Sequence, residues 1–210
     1  MRAWADAEAR LVEVVVVDDG STDGTAAIAQ AHGCRTVVLP RNRGKGAAVR
    51  AGMLEAEGAL RLMTDADLPT PLEELGALEA ALGEGHAAAI GLRRSLMPAT
   101  LRNRARAAVG GAFAHAVHRA GLTELTDTQC GFKLFRAEAA EAVFSRSIID
   151  GFAFDVEVLV ILRRLGLSVR GLPVSWVNSI DTRVDLLRDP IPMLIDLARI
   201  RRHDRRGGYA

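Results

Sequence analysis

The sequence predicts an α/β fold, in which a mostly parallel β-sheet is flanked by helices on both faces. Short apolar segments rich in Val, Ile and Leu alternate with longer helical segments along the chain, and this alternation is typical of parallel sheets covered by helices. With 210 residues, the chain is long enough for one sizeable domain and short for two. Polar clusters directly follow several predicted strands, which is where such sheets bind their ligands.

Three strand–helix units are predicted in the first half of the chain, after a polar helix over 4–10. The β-branched run at 12–17 indicates a strand buried on both faces of the sheet. It ends at Asp18 and Asp19, and the turn residues that follow start a helix over 25–32. The remaining elements of this half are strands at 35–39 and 60–63 and helices at 47–57 and 72–82.

The second half continues the alternation. Strands are predicted at 87–92, 133–135 and 169–176, and helices at 99–120, 137–144, 154–165 and 189–202. A polar loop at 126–132 precedes the short strand at 133–135. The chain has no internal repeat and no low-complexity linker, so we expect residues 1–210 to form a single domain that ends in a basic helix within 185–210.

Composition excludes several classes of protein. A formal net charge of +1 provides no overall field for nucleic acid. Two cysteines, Cys34 and Cys130, are too few for a disulfide scaffold or a cysteine-based zinc site. No stretch reaches the roughly 20 apolar residues of a membrane span, and the polar residues 1–10 do not have the pattern of a signal peptide. We therefore expect a cytoplasmic protein with reduced thiols.

The first candidate site is the acidic triplet Asp65-Ala66-Asp67, which follows the strand at 60–63. Side chains two residues apart point the same way in an extended backbone, so both carboxylates are expected to reach one site. Such hard oxygen ligands suit Mg²⁺ or Mn²⁺, and a metal there would bridge a diphosphate and stabilise its charge as it leaves. The alternative is a solvated acidic turn.

Two further clusters are candidates for contacts with a nucleotide. The adjacent carboxylates of Asp18 and Asp19 are costly without a partner, so we expect them to accept hydrogen bonds from a base or ribose. The loop at 41–46 combines cations with glycines, and Lys45 is expected to contact a phosphate through such a loop. An ordinary basic surface loop is the alternative.

Candidates for an acceptor site lie in the second half of the chain. Asp155 and Glu157 open the helix at 154–165, where they either complement the helix dipole or place a carboxylate, and thus a general base, near the acceptor. We expect the loop residues Gln129, Gly131 and Lys133 to line the acceptor side.

Several of these motifs together resemble glycosyltransferase family 2, whose members have the GT-A fold, a Rossmann-like α/β architecture. Within that family the chain resembles the dolichyl-phosphate β-glucosyltransferases and their bacterial polyprenyl-phosphate relatives. The motifs are VVVDDGSTDGT (15–25), NRGKG (42–46), DADLPTP (65–71), GLRR (91–94), DTQCGFKLF (127–135) and FAFDVE (152–157). The first motif alone indicates family 2, and the third and fifth narrow the resemblance to this subgroup.

The resemblance implies an enzyme that transfers a sugar, expected to be glucose, from a UDP-sugar to a polyprenyl or dolichyl phosphate. By position it assigns the uridine to Asp18 and Asp19, the ribose or metal to Asp65, the metal to Asp67, phosphate charge to Lys45 and Arg93, and the acceptor side to Asp155. A phosphate acceptor is already largely ionised near neutral pH, because its second pKa is about 6. Asp155 is then expected to orient or tune the acceptor, whereas with a hydroxyl acceptor it would be a base. Direct in-line attack with inversion at the anomeric carbon is the expected mechanism.

Two segments depart from the family pattern. Family members begin with a strand, a loop and a helix, and residues 1–8 resemble only the end of that helix. Without the strand we expect an unpaired edge in the sheet and weaker donor binding. The segment 178–184 also differs from the usual short Ser-rich run.

The basic helix near the end of the chain suggests a membrane contact. Apolar residues from Ile191 to Ile200 lie on one side, and five arginines between 199 and 206 lie beyond them. Such a helix suits the interface of an anionic membrane, which predicts a peripheral protein on the inner face of the membrane. A helix packed on the core with a solvated basic end is the alternative.

Two other functions remain open, and a third is disfavoured. One is a family 2 transferase that acts on a glycan or small-molecule hydroxyl. Another is a sugar-nucleotide-binding remnant without catalytic activity. A nucleotidyltransferase is disfavoured, because its glycine- and lysine-rich signature is absent from the sequence.

Overall fold

The computed structural model describes residues 1–95, 113–123, 127–177 and 190–210, together with Gly111 and Leu125. The strands in these ranges are β1 (Val15–Asp18), β2 (Arg35–Val38), β3 (Leu60–Met63), β4 (Ala88–Ser95), β5 (Lys133–Arg136) and β6 (Val169–Trp176). The helices are α1 (Arg2–Ala7), α2 (Thr25–Ala31), α3 (Lys45–Glu55), α4 (Leu75–Gly83), α5 (113–119), α6 (Ala137–Phe144), α7 (Phe154–Arg164) and α8 (Pro190–Arg205). A 3₁₀ turn at Leu72–Glu74 leads into α4.

The α/β class is confirmed, and the sheet is mostly parallel but partly mixed. β3, β5, β4 and β6 form a four-stranded sheet in that order, and β1 and β2 form a separate parallel pair. β4 and β6 are parallel, whereas β5 runs antiparallel to both of its neighbours. Hydrophobic periodicity carries no information about strand direction, so the sequence could not reveal the reversal at β5.

The prediction that the first strand is buried on both faces was wrong. Val15, Val16 and Val17 are only half-buried, and Asp18 is the buried residue of β1. Among the described strands β1 pairs only with β2, so one of its edges carries no neighbouring strand that would bury it. β3 is likewise an edge strand of its sheet, which leaves Leu60 41% exposed and only Met63 buried.

Most helix boundaries agree with the sequence prediction within two or three residues. α6 spans the predicted range, and α3 begins two residues earlier than expected, at Lys45. Of the predicted helix 99–120, only Gly111 and 113–119 are described as helical. Residue 126 of the predicted polar loop and the divergent segment 178–184 lie outside the described residues. No helix among the described residues is long and apolar enough to cross a membrane.

Helix α7 lies at the centre of the larger of two hydrophobic clusters. Every residue from Phe154 to Leu162 is buried, and the helix packs with α6, β5 and the last turns of α8. A helix that is buried on all sides is normally apolar all round. Two carboxylates, Asp155 and Glu157, are nevertheless buried in its first turn, and each therefore needs a partner.

Candidate active site

The two carboxylates after β1 shape the backbone in front of α3. Asp18 is 4% exposed and accepts a hydrogen bond from the Ser21 amide at 2.9 Å. Asp19 accepts two, from the amides of Arg43 and Gly44, both at 2.8 Å. Asp19 thus ties the end of β1 to the loop before α3, a positioning role that the sequence prediction of uridine contacts did not include.

Lys45, the first residue of α3, forms an ion pair with the acidic triplet. Its Nζ lies 2.6 Å from Oδ1 of Asp65, and both side chains are about one third exposed. Burial of Lys45 lowers its pKa, but the nearby carboxylates of Asp65, Asp155 and Asp67 outweigh this and raise the pKa above its ordinary value. The ammonium is therefore charged, and the predicted phosphate-binding lysine and the predicted metal-binding aspartate are direct neighbours.

The Asp65 carboxylate packs directly on the backbone of Gly131. A Cβ atom on Gly131 would overlap the Asp65 carboxylate, and the more distant carboxylate oxygen would lie only 2.9 Å from it. The turn that carries Asp65 closes with a hydrogen bond from the Leu68 amide to the Asp65 carbonyl oxygen at 3.0 Å. This turn leaves Asp67 exposed. The loop predicted for the acceptor side and the triplet predicted for the donor side thus meet at one point.

We expect Gly131→Ala to displace the Asp65 carboxylate and to weaken binding of Mn²⁺ with UDP by about 10-fold, which corresponds to about 1.4 kcal/mol. Isothermal calorimetry would measure this change. Gly76→Ala is the matched control, because a Cβ on this α4 residue meets nothing within 4 Å and alanine favours helix. Equal affinities of Gly131→Ala and the control would contradict the prediction.

A second lysine–aspartate pair is fully buried and lies close to the first. Lys133 forms an ion pair with Asp155, and the two side chains are 1% and 3% exposed. The Lys133 ammonium also donates to the Cys130 carbonyl oxygen at 2.6 Å. Burial raises the pKa of the Asp155 carboxyl, while Lys133 and Lys45 act in the opposite direction. The Asp155 carboxylate therefore interacts electrostatically with the ammonium groups of both Lys133 and Lys45.

Arg93, predicted to contact a phosphate, forms a fork-to-fork pair with Asp127. Nε and a terminal guanidinium nitrogen each donate to the carboxylate at 2.8 Å, and the Arg93 amide donates to it at 2.9 Å. The guanidinium carbon also lies 5.4 Å from the centre of the Trp176 ring. Burial alone would raise the pKa of Asp127, but Arg93 holds it below its ordinary value. The contributions of Asp127 and Trp176 were not predicted from the sequence.

Gln129 and Glu157 complete the list of predicted acceptor-side residues. The side-chain Nε2 of Gln129 donates to the Phe152 carbonyl oxygen at 3.5 Å, which connects this loop to the residues just before α7. Glu157 faces away from Asp155 and accepts hydrogen bonds from the amides of Ile148 and Ile149. The structure therefore separates two carboxylates that the sequence could not distinguish.

The oxygen ligands present fit a divalent metal only with help from a substrate. Within the described ranges no group of three metal-binding side chains is assembled. Asp65 and Asp67 supply carboxylates, and the Lys45 ammonium stands as a cation 2.6 Å from Asp65. A site with two carboxylates suits Mg²⁺ or Mn²⁺ when phosphate oxygens and water supply the remaining ligands.

The chain contains two lysines among its 27 basic residues, and these are Lys45 and Lys133. Arginine fills the other basic positions. An ammonium is a compact charge that a guanidinium does not replace. The presence of lysine at only these two positions therefore indicates that each of them requires an ammonium. Both lysines were already candidate site residues, and their rarity in the sequence supports that choice.

The chain is similar in sequence to a known protein family and to several characterised relatives. A family model described as Glycosyl transferase family 2 matches residues 2–144. A dolichyl-phosphate beta-glucosyltransferase of Trichomonas vaginalis is 37% identical over 207 residues, covering 93% of this chain and 61% of the relative. The Mus musculus dolichyl-phosphate beta-glucosyltransferase is 38% identical over 181 residues, covering 79% of this chain and 56% of the relative. The chain thus spans less than two thirds of the length of these relatives.

Solved structures support the fold. Glucosyl-3-phosphoglycerate synthase from Mycobacterium tuberculosis, in complex with Mn²⁺, UDP and glucosyl-3-phosphoglycerate, superimposes with a TM-score of 0.68 at 22% identity, covering 91% of this chain and 69% of that one. At this identity the similarity establishes the fold alone, and it confirms the predicted GT-A architecture. The family match extends over more than half of the sequence, and the chain belongs to glycosyltransferase family 2.

Proposed function

We propose that the chain transfers glucose from UDP-glucose to a polyprenyl or dolichyl phosphate, with inversion at the anomeric carbon. The observation that carries this proposal is the contact between Lys45 and Asp65 on the surface of Gly131. This contact places an ammonium group and a carboxylate beside the backbone of the loop that contains Gly131. The ammonium can bind a phosphate and the carboxylate can hold a metal, and a sugar diphosphate needs both. The relatives named dolichyl-phosphate beta-glucosyltransferase support glucose as the transferred sugar and a lipid phosphate as the acceptor.

On the donor side, Asp18 and Asp19 would bind the uridine, and Lys45 would contact the diphosphate. Asp65 and Asp67 would hold a Mg²⁺ or Mn²⁺ ion. When bound, this metal would neutralise the negative charge that grows on the diphosphate as it leaves. The Lys45 ammonium offers a second positive charge at the same place.

On the acceptor side, Gln129 and Gly131 would line the site of the lipid phosphate, and the buried Lys133 ammonium would supply positive charge behind them. Arg93 would contact phosphate charge of the donor together with Lys45. Asp155 is buried with Lys133 and is close enough to Lys45 to raise its pKa. We propose that Asp155 holds the two lysine charges in position rather than removing a proton, because a phosphate acceptor is already ionised.

The test is an assay with purified protein, UDP-glucose, Mn²⁺ and a short polyprenyl phosphate. We expect a β-configured glucosyl phosphate, identified by mass spectrometry and by the coupling constant of its anomeric proton. Simple sugars and glycerol phosphates serve as hydroxyl acceptors in parallel reactions. Transfer to a hydroxyl acceptor alone, or retention of configuration, would refute the proposal.

We further propose that residues 1–210 act as one domain at the cytoplasmic face of a membrane and contact it through α8. Ile191, Leu194 and Ile195 are 66%, 50% and 63% exposed on this helix. A groove between α5 and α8 has an apolar floor, and its lining includes the arginines at 201, 202, 205 and 206. Exposed apolar residues followed by arginines suit the interface of an anionic bilayer.

Replacement of these four arginines by glutamine is expected to abolish binding to vesicles that contain anionic phospholipid at low salt. Each arginine near such a surface contributes about 1 kcal/mol, so the combined loss exceeds 100-fold in affinity. Vesicle co-sedimentation measures it, with neutral phosphatidylcholine vesicles as the control. Unchanged binding of the variant would assign the arginines to a solvated surface.

A further inference from the structure

A buried carboxylate outside the substrate contacts described above connects distant parts of the chain. Glu157 of α7 is 0% exposed and accepts three hydrogen bonds. Two come from the backbone amides of Ile148 and Ile149, at 2.9 and 3.0 Å. The third comes from the hydroxyl of Tyr209, beyond α8, at 2.6 Å.

All three groups around Glu157 donate hydrogen bonds, which favours the ionised carboxylate. Burial nevertheless raises the pKa of Glu157 above its ordinary value, and the hydrogen bonds from Tyr209 and the two amides offset this effect only in part. Tyr209 is itself 0% exposed, and its ring stacks edge-on against His203 at 4.6 Å between centroids. Removal of one partner would leave buried polar groups unsatisfied, which is costly.

The segment held by Glu157 is the surface on which α3 begins. The Ala47 amide donates to the Asp150 carbonyl oxygen at 3.2 Å. A Cβ on Gly44 would lie 2.6 Å from that same oxygen, and a Cβ on Gly46 would lie 2.9 Å from the Gly151 carbonyl oxygen. The backbone at the start of α3 is therefore in direct contact with the backbone of 148–151. A shift of 148–151 is expected to move the start of α3.

Side chains reinforce the same contact. The Asp150 carboxylate pairs with Arg50 and, at 3.1 Å, with Arg43. Arg50 also donates to the Ser147 carbonyl oxygen at 3.1 Å. Lys45 lies between these two arginines in the sequence, and its ammonium reaches Asp65 at 2.6 Å. A continuous set of contacts thus runs from Tyr209 through Glu157 to Lys45.

We propose that Glu157 and Tyr209 are positioning residues of the donor site, which hold the segment 148–151 and thereby set the place of Lys45 relative to Asp65. They act through the backbone and do not touch the substrate. The expected effect on binding of the donor rests on the proposed function. The placement of Lys45 by Glu157 and Tyr209 concerns the protein without ligand and does not rest on it.

Two variants and one control test it. Tyr209→Phe keeps the ring and removes the hydroxyl, and Glu157→Gln places an amide nitrogen opposite at least one N–H or O–H donor. Asp204→Asn is the control, because among the described residues the Asp204 carboxylate pairs with Arg164 and Arg163 near the end of α7 rather than with 148–151. Chemical denaturation determines how much stability each variant loses.

Hydrogen exchange and UDP binding are the two readouts. We expect faster exchange of the Ala47 amide in Tyr209→Phe and Glu157→Gln, with the amides between β5 and β3 unchanged, and neither effect in Asp204→Asn. UDP with Mn²⁺ is expected to bind about 5- to 10-fold more weakly to the first two variants, which is ordinary for coupled sites. Conditions are chosen in which each variant is fully folded.

Unchanged exchange at Ala47 in both variants would overturn the inference, as would equal loss of UDP affinity in all three at matched stability. A parent protein that does not bind UDP would instead contradict the proposed function, and exchange at Ala47 would then decide the positioning role alone.

Discussion

Asp155→Asn is expected to lower the free energy of unfolding by about 3 to 5 kcal/mol, because it leaves the Lys133 ammonium buried without a counter-charge. Lys133 is 1% exposed, and its other hydrogen bond goes to the Cys130 carbonyl oxygen, which does not neutralise it. Urea denaturation measures the loss. The proposed glucosyl transfer is expected to fall as well, even where the variant is fully folded, because Asp155 also raises the pKa of Lys45 and so stabilises its ammonium.

A double variant separates the charge effect from simple loss of packing. Asp155→Leu together with Lys133→Met removes both charges and leaves apolar side chains of similar size, and such replacements are often neutral or stabilising. We expect the double variant to be more stable than either single variant, with transfer still reduced. Additive losses of stability would show that the two side chains do not act as a pair.

The buried pair illustrates how far the sequence could predict this site. Asp155 and Lys133 were both predicted as site residues, since each lies in a motif that matches the family. Their partnership was not predicted, because it depends on β5 lying beside α7, and a residue on one element does not reveal its contacts on another. The antiparallel direction of β5 was not predicted either, because the hydrophobic pattern of a short strand is the same in both directions.

Asp19 and Arg93 show a different limit of sequence reasoning. Both were assigned to substrate from their places after strands, and the structure adds protein partners for each: the loop amides of Arg43 and Gly44 for Asp19, and the carboxylate of Asp127 for Arg93. Position after a strand brings a polar residue to the correct edge of a sheet, but it does not distinguish a group that binds substrate from one that shapes the loop. Only the interatomic distances in the structure make that distinction.

Lys45→Met is expected to have opposite effects on two ligands. UDP with Mn²⁺ should bind about 10- to 100-fold more weakly, because a hydrogen bond between charged groups contributes about 1.5 to 3 kcal/mol. Mn²⁺ alone should bind more tightly, because the ammonium that lies 2.6 Å from Asp65 competes with the metal for that carboxylate. Calorimetry with Mn²⁺ alone, and then with UDP at saturating Mn²⁺, measures both effects.

The control for this experiment is Arg41→Met, which removes one positive charge from an exposed position in the same loop. It should leave both affinities within about twofold, since screened charges on the surface act weakly. Lys45→Arg adds a further comparison: a guanidinium keeps the charge but is broader and planar, so it should restore little of the UDP affinity. If Arg41→Met reproduced both changes, the loop would act through its net charge. Opposite changes confined to Lys45 would show that its ammonium competes with a metal for the Asp65 carboxylate and stabilises the bound donor diphosphate.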